Sequence, residues 1–169
     1  MKQAIAGVAP PELEEVEVMT VWPSVAAYPL GRFHGRLYEI KAGWGIIFTV
    51  GNLFCLLTIP GALALYFLRV LPFVGQRYRI TNRRVIIQQG VRGADGPYVD
   101  LDRFDAIEVV VQPGQGWYKA GDLVFSHAGV QTFRLAGVSR PESFRQVCLK
   151  AHLSYVGVKR ARAKETAVT

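Results

Sequence analysis

The longest feature of the hydrophobic pattern is a run of 27 residues, 42–68, that contains no charged side chain. As an α-helix rising about 1.5 Å per residue, this run would cover about 40 Å, more than the hydrocarbon core of about 30 Å. The pattern therefore predicts a transmembrane region. Pro60-Gly61 lies inside the run, and a proline there kinks or interrupts a helix.

Two interpretations of this run are open, a single tilted span and a re-entrant hairpin. Length favours the single span, because each arm of a hairpin would have only about 15 residues where a full span needs about 20. Charge favours the hairpin, because basic residues flank the run on both sides and such residues favour the cytoplasmic side. The flanking basic residues are Arg32, Arg36 and Lys41 before the run, and Arg69, Arg77 and Arg79 after it.

After the run, the period of the pattern changes from helical to two residues. Tyr78 and Ile80 alternate with polar neighbours, which predicts a half-buried β-strand. Asn82-Arg83 predicts a turn, and a second strand follows as far as Gly90. Further strands are predicted within the alternating segments 98–112, 121–128 and 130–138.

The last element returns to a helical period. Phe144, Val147, Cys148 and Ala151 stand at i, i+3, i+4 and i+7, which places them on one face of a helix. Several strands followed by one closing helix indicate an α+β or capped-barrel architecture.

Composition adds a strong positive charge, because the chain carries 20 Lys and Arg against 13 Asp and Glu, a net charge of +7. This charge is typical of proteins with anionic partners, either nucleic acid or a membrane surface. Residues 69–94 hold six Arg and no acid, and residues 143–169 hold six basic residues and one acid. Basic charge directly after an apolar run is the pattern of segments that face anionic lipid.

The order of the motifs resembles that of the membrane-anchored bacterial pleckstrin-homology-like (PH-like) domains. In that family an apolar segment leads into a Tyr-Arg-x-Thr-Asn-x-Arg strand pair. An acidic strand, a Gly-containing strand and a C-terminal helix that opens near a proline then follow. The residues that match are Tyr78, Arg79, Thr81, Asn82, Arg84, Gly90, Asp105, Ile107, Val109, Gly121, Phe133, Leu135 and Pro141. The resemblance covers about 77–153 and implies a split β-barrel of about seven antiparallel strands capped by a C-terminal helix.

This interpretation divides the chain into four parts. We expect a mobile acidic arm at 1–20 and an interfacial and transmembrane region at 21–76. We expect the PH-like domain at 77–155 and a basic tail at 156–169.

Three groups of residues are candidates for contact with anionic lipid or a partner. The first is the arginine cluster, the second is the aromatic tip of a strand connection, and the third is the basic tail. Their members are Arg77, Arg79, Arg83 and Arg84; Trp117 and Tyr118; and Lys159 and Arg160. Each group also has a simpler interpretation. The arginine cluster could be a solvated strand face, the aromatic tip could be ordinary packing, and the basic tail could be a solubilising tail.

The sequence contains no catalytic constellation and no His, Cys or carboxylate set at metal-ligand spacing, and the resemblance implies no cofactor. The leading hypothesis is a non-enzymatic inner-membrane protein that acts as a scaffold. Its cytoplasmic PH-like domain would bind a partner protein or anionic lipid, and it could form a homo-oligomer. The alternatives are a basic nucleic-acid-binding module and a soluble enzyme that buries one long helix.

Overall fold

The computed structural model describes residues 15–40, 43–44, 48–70, 75–90 and 93–168. The strands are β1 Glu17–Val21, β2 Gly43–Trp44, β3 Phe48–Thr49, β4 Gln76–Thr81, β5 Arg84–Gln89, β6 Ala94–Asp100, β7 Ala106–Val110, β8 Ala120–His127 and β9 Val130–Ser139. The helices are α1 Pro29–Tyr38, α2 Val50–Leu57, α3 Ile59–Val70 and α4 Pro141–Val168, with single 3₁₀ turns at Val25–Ala27 and Gly116–Tyr118.

Seven of these strands form two antiparallel sheets that pack face to face. The first sheet has the order β1-β4-β5-β6, and the second has the order β7-β8-β9. An isolated bridge between Pro23 and Val138 joins the sheets at one corner, but they do not close into a barrel. The predicted set of seven antiparallel strands with a C-terminal helix is confirmed, and the fold is PH-like. The helix covers the core between the sheets.

The core is built from the inward positions of the strands and one face of α4. Of the face predicted from the helical period, Phe144, Cys148 and Ala151 are buried, and Val147 is partly buried against the same core. The largest side chains that fill the core from the two sheets and the β6–β7 connection are Tyr78, Ile80, Val85, Leu101, Phe104, Leu123, Phe125 and Leu135. The alternation of Tyr78 and Ile80 that predicted β4 is thus the inward and outward alternation of a strand with one face on the core.

The first strand lies in a segment that the sequence analysis assigned to a mobile arm. Residues 17–21 form β1, which pairs with β4 in the register Glu17 with Thr81 and Val21 with Tyr78. The assignment of the whole of 1–20 to an arm is therefore wrong for residues 17–20, while residues 1–14 lie outside the described residues. The domain also begins at β1 and not at residue 77, because β1 is part of its first sheet.

The apolar run lies in an insertion between two neighbouring strands of one sheet. Residues 22–75 leave the sheet after Val21 and return at β4, which pairs with β1. The run begins in the short hairpin β2–β3 and continues through α2 and α3. The predicted single long helix is not formed, because α2 ends at Leu57 and α3 begins at Ile59, just before Pro60. No helix in the described ranges has both the length and the apolar character to cross a membrane.

The insertion is held against the domain by direct backbone contact. Gly35 of α1 faces Gly114 in the β7–β8 connection, and a Cβ built on Gly35 would lie only 2.0 Å from the Gly114 carbonyl oxygen. Gly114 has φ +86°, a conformation that favours glycine. Further along, the Tyr38 and Thr58 hydroxyl oxygens lie 2.5 Å apart, and the Gly51 N–H donates to the Ile40 carbonyl at 3.1 Å. These bonds connect α1 to α2 and to the start of α3.

The sheet sandwich has two ends, which are named here by the connections that they carry. The insertion end carries the residues where the insertion leaves and returns, together with the β7–β8 connection and the β9–α4 junction. The distal end carries the β4–β5 turn, the β6–β7 connection 101–105 and the β8–β9 turn. Helix α4 starts at the insertion end and runs to the distal end, where Lys159 donates to Asp102 at 2.6 Å.

The C-terminal basic segment is helical. Helix α4 extends over 28 residues to Val168, so the segment 156–169 that we predicted as a tail continues the capping helix as far as residue 168. At about 1.5 Å per residue, the nine residues after Lys159 extend about 13 Å beyond its contact with Asp102.

A buried carboxylate joins the second sheet to the insertion. Asp122 has no exposed surface and accepts hydrogen bonds from Gln115 Nε2 and from the Gly137 N–H, both at 2.7 Å, and from the Arg134 guanidinium. Gln115, also fully buried, donates to the Ala26 carbonyl at 3.4 Å. Burial raises the pKa of Asp122, but the hydrogen bonds from Arg134, Gln115 and Gly137 outweigh it and hold the pKa below its ordinary value.

We predict that Asp122→Asn lowers the free energy of unfolding by about 2–3 kcal/mol, because an amide leaves part of the buried donor set unpaired. In the parent chain the folded-state pKa of Asp122 is depressed. The stabilisation that its carboxylate contributes is therefore complete above about pH 4 and is lost as pH falls through the folded-state pKa. Urea unfolding of the full chain in detergent, at pH 7 and at decreasing pH, measures both effects.

Glu108→Gln provides the control, because Glu108 is exposed on β7. We expect this substitution to leave the free energy of unfolding at pH 7 unchanged. An Asp122→Asn variant with the unfolding midpoint and acid sensitivity of the parent chain would contradict the role assigned to Asp122.

Candidate functional site

The predicted arginine cluster is largely occupied by partners within the first sheet. Arg84 donates two hydrogen bonds to Glu15, from Nε and Nη2, both at 2.9 Å, and its Nη2 lies 3.7 Å from an Asp95 carboxylate oxygen. Its guanidinium carbon also lies 5.0 Å from the centre of the Tyr98 ring. A charge-assisted, two-bond pair of this kind fixes geometry as well as charge. Arg84 therefore holds Glu15, two residues before β1, onto the β4–β5 turn.

The remaining arginines of this cluster are also engaged or partly buried. Arg77 Nε donates to Gln88 at 2.8 Å, and Arg79 Nε lies 3.1 Å from a Glu17 carboxylate oxygen. Arg83 is partly buried, and its Nε is fully covered without a hydrogen-bond partner in the described residues. The hydrogen bond from Arg84, helped by one from Thr81, lowers the pKa of Glu15, so this carboxylate stays charged well into the acid range. The cluster functions mainly as the ion-paired outer face of β4 and β5.

The structure places the predicted contact residues at both ends of the domain. Arg77 and the aromatic pair Trp117 and Tyr118 lie toward the insertion end. Four predicted contact residues lie at the distal end, namely Arg83, Arg84, Lys159 and Arg160. No single flat membrane surface can contact both groups at once.

The aromatic tip packs on the insertion. The Trp117 ring centroid lies 4.7 Å from that of Tyr38 in α1. The backbone N–H of Trp117 donates to a Glu39 carboxylate oxygen at 3.2 Å. Burial raises the pKa of Tyr118 to about 12. Trp117 nevertheless keeps 46% of its surface exposed, so the tip combines packing with an accessible aromatic face at the insertion end.

Four cations that the sequence analysis did not single out as a contact site also lie at the insertion end: Arg32, Arg36, Lys119 and Arg140. Arg36 Nε donates to the Pro113 carbonyl at 3.4 Å, and the Arg140 N–H donates to the Lys119 carbonyl at 3.1 Å. Within the described ranges none of the four forms an ion pair with a carboxylate. Lys119 and Arg140 are 21 positions apart and become neighbours only through the β8–β9 pairing, which is why the sequence pattern did not reveal them.

A large apolar surface lies next to these cations. Leu57, Leu56 and Phe67 keep 77%, 68% and 66% of their surface exposed. The other exposed apolar side chains on α2 and α3 are Val50, Leu53, Phe54, Ile59, Leu63 and Tyr66. An apolar patch of this extent on a folded chain marks an interaction surface.

Two neighbouring clefts, of about 630 Å³ and about 450 Å³, open at the distal end. Both contain Asp102 and His127 in their walls. The smaller is also lined by Phe104 and by α4, through Val156 and Arg160. The part of the chain that the structure describes contains no group of three or more His, Cys, Asp or Glu that could hold a metal ion.

The family model for the bacterial PH domain matches residues 24–155. The chain belongs to the bacterial PH domain family. The match includes the insertion as well as the strands from β4 onward, so the bacterial PH domain family is confirmed, while membrane anchoring stays a prediction. A bacterial PH domain is a module of a class that binds protein or lipid. No curated protein and no solved structure matches the chain.

The pairing of Arg84 with Glu15 generates a prediction for this PH domain. Arg84→Gln removes a mostly buried ionic hydrogen-bond pair, worth about 1.5 kcal/mol. We expect the amides of β1 to exchange with solvent about tenfold faster. Hydrogen exchange of the full chain, followed by mass spectrometry, measures this change.

Arg103→Gln provides a matched control, because Arg103 also pairs with an aspartate, Asp100, at 3.3 Å, but its side chain is 77% exposed. Such a surface pair contributes little. Equal protection of β1 in Arg84→Gln and in the parent chain would contradict the assigned role.

Proposed function

We propose that this bacterial PH domain is a non-enzymatic membrane protein that lies on the cytoplasmic face of the inner membrane. Helices α2 and α3 enter the bilayer as a re-entrant hairpin. The cations at the insertion end contact anionic lipid headgroups, and the domain acts as a scaffold on this surface. The observation that carries the proposal is the exposed apolar surface of α2 and α3.

The apolar surface is too large to be an ordinary solvent-exposed face. Fully burying a side chain such as Leu57 or Phe67 in an apolar medium contributes about 1.5–3 kcal/mol. Among the side chains that the structure describes on α2 and α3, nine large apolar ones are exposed. Their transfer to hydrocarbon is favourable by roughly 10 kcal/mol or more, even when burial is incomplete. This amount is ample for stable attachment to a bilayer.

The sheet topology favours the re-entrant hairpin over a single span. Val21 pairs with Tyr78, so the two ends of the insertion lie side by side at one end of the domain. A chain that crosses the bilayer once would place β1 and β4 on opposite sides, which their pairing forbids. The insertion must therefore return to the side from which it entered.

The charges at the insertion end complement an anionic surface. Arg36, Lys119 and Arg140 are exposed beside the base of the insertion, and each cation near an anionic membrane contributes about 1 kcal/mol. Helix α1 adds the exposed side chains of Leu30 and Phe33. Such a mixture of apolar and cationic side chains suits the headgroup zone.

We predict that Leu57→Asp/Leu63→Asp/Phe67→Asp releases the protein from membranes, because three charges on the exposed face of α2–α3 oppose entry into hydrocarbon. The measurement is the fraction of the chain that sediments with bacterial membranes after washing with high salt and alkaline carbonate. The parent chain should remain almost wholly in the pellet.

Leu153→Asp provides the control, because Leu153 is 69% exposed on α4, outside the insertion, and its substitution should leave sedimentation unchanged. In the parent chain, epitope tags at the two termini should both be cleaved by protease in inverted vesicles and protected in intact cells. Termini on opposite sides, or a parent chain found in the supernatant, would overturn the proposal.

We predict that Arg36→Gln/Lys119→Gln/Arg140→Gln removes most of the preference for anionic lipid. The loss of three cations corresponds to about 3 kcal/mol at low salt, on the order of a 100-fold weaker preference. The measurement is the partition of the chain from dilute detergent into phosphatidylglycerol vesicles relative to neutral phosphatidylcholine vesicles.

The matched control is Arg103→Gln/Arg160→Gln/Lys164→Gln, which removes the same charge from exposed positions at the distal end. It should keep the preference of the parent chain. An equal loss in both triple variants would show that net charge, and not the insertion end, determines the interaction with lipid.

A further inference from the structure

The distal end contains a groove that the lipid contact does not use. We define the distal groove by Asp102, Phe104, His127, His152, Lys159 and Arg160, which line the smaller of the two clefts. Strand β8 runs from Ala120, beside the insertion, to His127 in the groove. At about 3.3 Å per residue, its eight residues separate the two sites by about 23 Å. A membrane at the insertion end leaves this groove free for a soluble partner.

The dimensions of the groove suit a peptide. Its volume of about 450 Å³ is that of a small-ligand site, and the adjoining cleft of about 630 Å³ lengthens it into a groove that can take an extended segment. Val156 and Ala163 of α4 contribute apolar surface along one wall. The last turns of α4 extend this wall beyond the sandwich, because the helix continues to Val168.

The carboxylates that line the clefts are already engaged. Asp102 accepts from Lys159 at 2.6 Å, and Asp105 accepts from the Ala128 N–H at 2.8 Å and lies 3.8 Å from His127. The hydrogen bond from Lys159 lowers the pKa of Asp102, so this carboxylate stays ionised. The groove therefore offers few free acceptors to a ligand.

Donors remain available in the same groove. Arg160 is exposed and has no carboxylate partner within the residues that the structure describes. Lys159 uses only one of its three N–H groups on Asp102.

We propose that the distal groove binds an acidic, partly apolar peptide segment of a soluble partner protein. A carboxylate of the segment pairs with Arg160, and its apolar side chains lie against Val156 and Ala163. The aspartates at 100, 102 and 105 disfavour a polyanion such as nucleic acid, because several phosphates would face them. Phe104 in the groove wall is 1% exposed, so its ring is not accessible for stacking with a base.

Phage display of random dodecapeptides on the full chain in detergent tests this proposal without any membrane. We expect the enriched peptides to combine Asp or Glu with apolar residues. A synthetic peptide of the enriched sequence should bind at least tenfold more weakly to Arg160→Glu, which reverses the charge, and to Ala163→Trp, which fills the groove. Lys150→Glu, an exposed charge reversal on the same helix, should bind like the parent chain.

Three outcomes would overturn the proposal. They are the absence of enriched peptides, enriched peptides without carboxylates, and binding that Arg160→Glu and Ala163→Trp leave unchanged. Competition by a single-stranded DNA 12-mer as strong as that of the peptide would instead indicate a general polyanion site. Because the assay is performed in detergent, its failure is distinguishable from a failure of the membrane proposal.

Discussion

The pairing of β1 with β4 is the constraint on which the rest of the structure depends. It brings together two segments that are separated by more than 50 residues, and it fixes both ends of the apolar insertion at one end of the domain. Because β1 and β4 pair in one sheet, the insertion has to return to the end of the domain from which it leaves, so its route follows from the sheet and not from the length of the apolar run. The ion pairs of β1 with the neighbouring strands hold this first strand in place: Arg79 with Glu17, and Arg84 with Glu15 just before it.

Direct contact between backbones makes the insertion a continuation of the domain. Gly35 and Gly114 let α1 lie against the β7–β8 connection with no side chain between them, and Gln115 in that connection reaches both Asp122 and the Ala26 carbonyl. The buried polar network thus crosses from the second sheet into the insertion. Because every bond in it is directional, the network fixes orientation, whereas apolar packing alone would tolerate sliding.

The sequence predicted the elements whose signal is local and missed those that depend on distant partners. The alternation at Tyr78 and Ile80 and the helical face at Phe144 were both correct, because each period reflects one neighbouring core. Strand β1 was missed, although Glu15-Val16-Glu17-Val18 alternates, because its glutamates indicated an acidic arm. The helical C-terminus was missed because its basic residues resemble a soluble tail. The pairing of Arg84 with Glu15, 69 positions away, cannot be recognised from any short segment of the sequence, because no such segment contains both residues.

The same distant pairings change the meaning of the net charge. A total of +7 makes the whole chain look suited to an anionic surface, yet the densest cationic segment carries Arg79 and Arg84, which face carboxylates of the same sheet. Cations without carboxylate partners in the described ranges remain at the two ends, beside the apolar helices and along the last turns of α4. Since the ends lie on opposite sides of the sandwich, the lipid contact proposed for one end would leave the other in water. The two proposed contacts, with a membrane and with a soluble partner, are compatible because they draw on different charges and share no side chain.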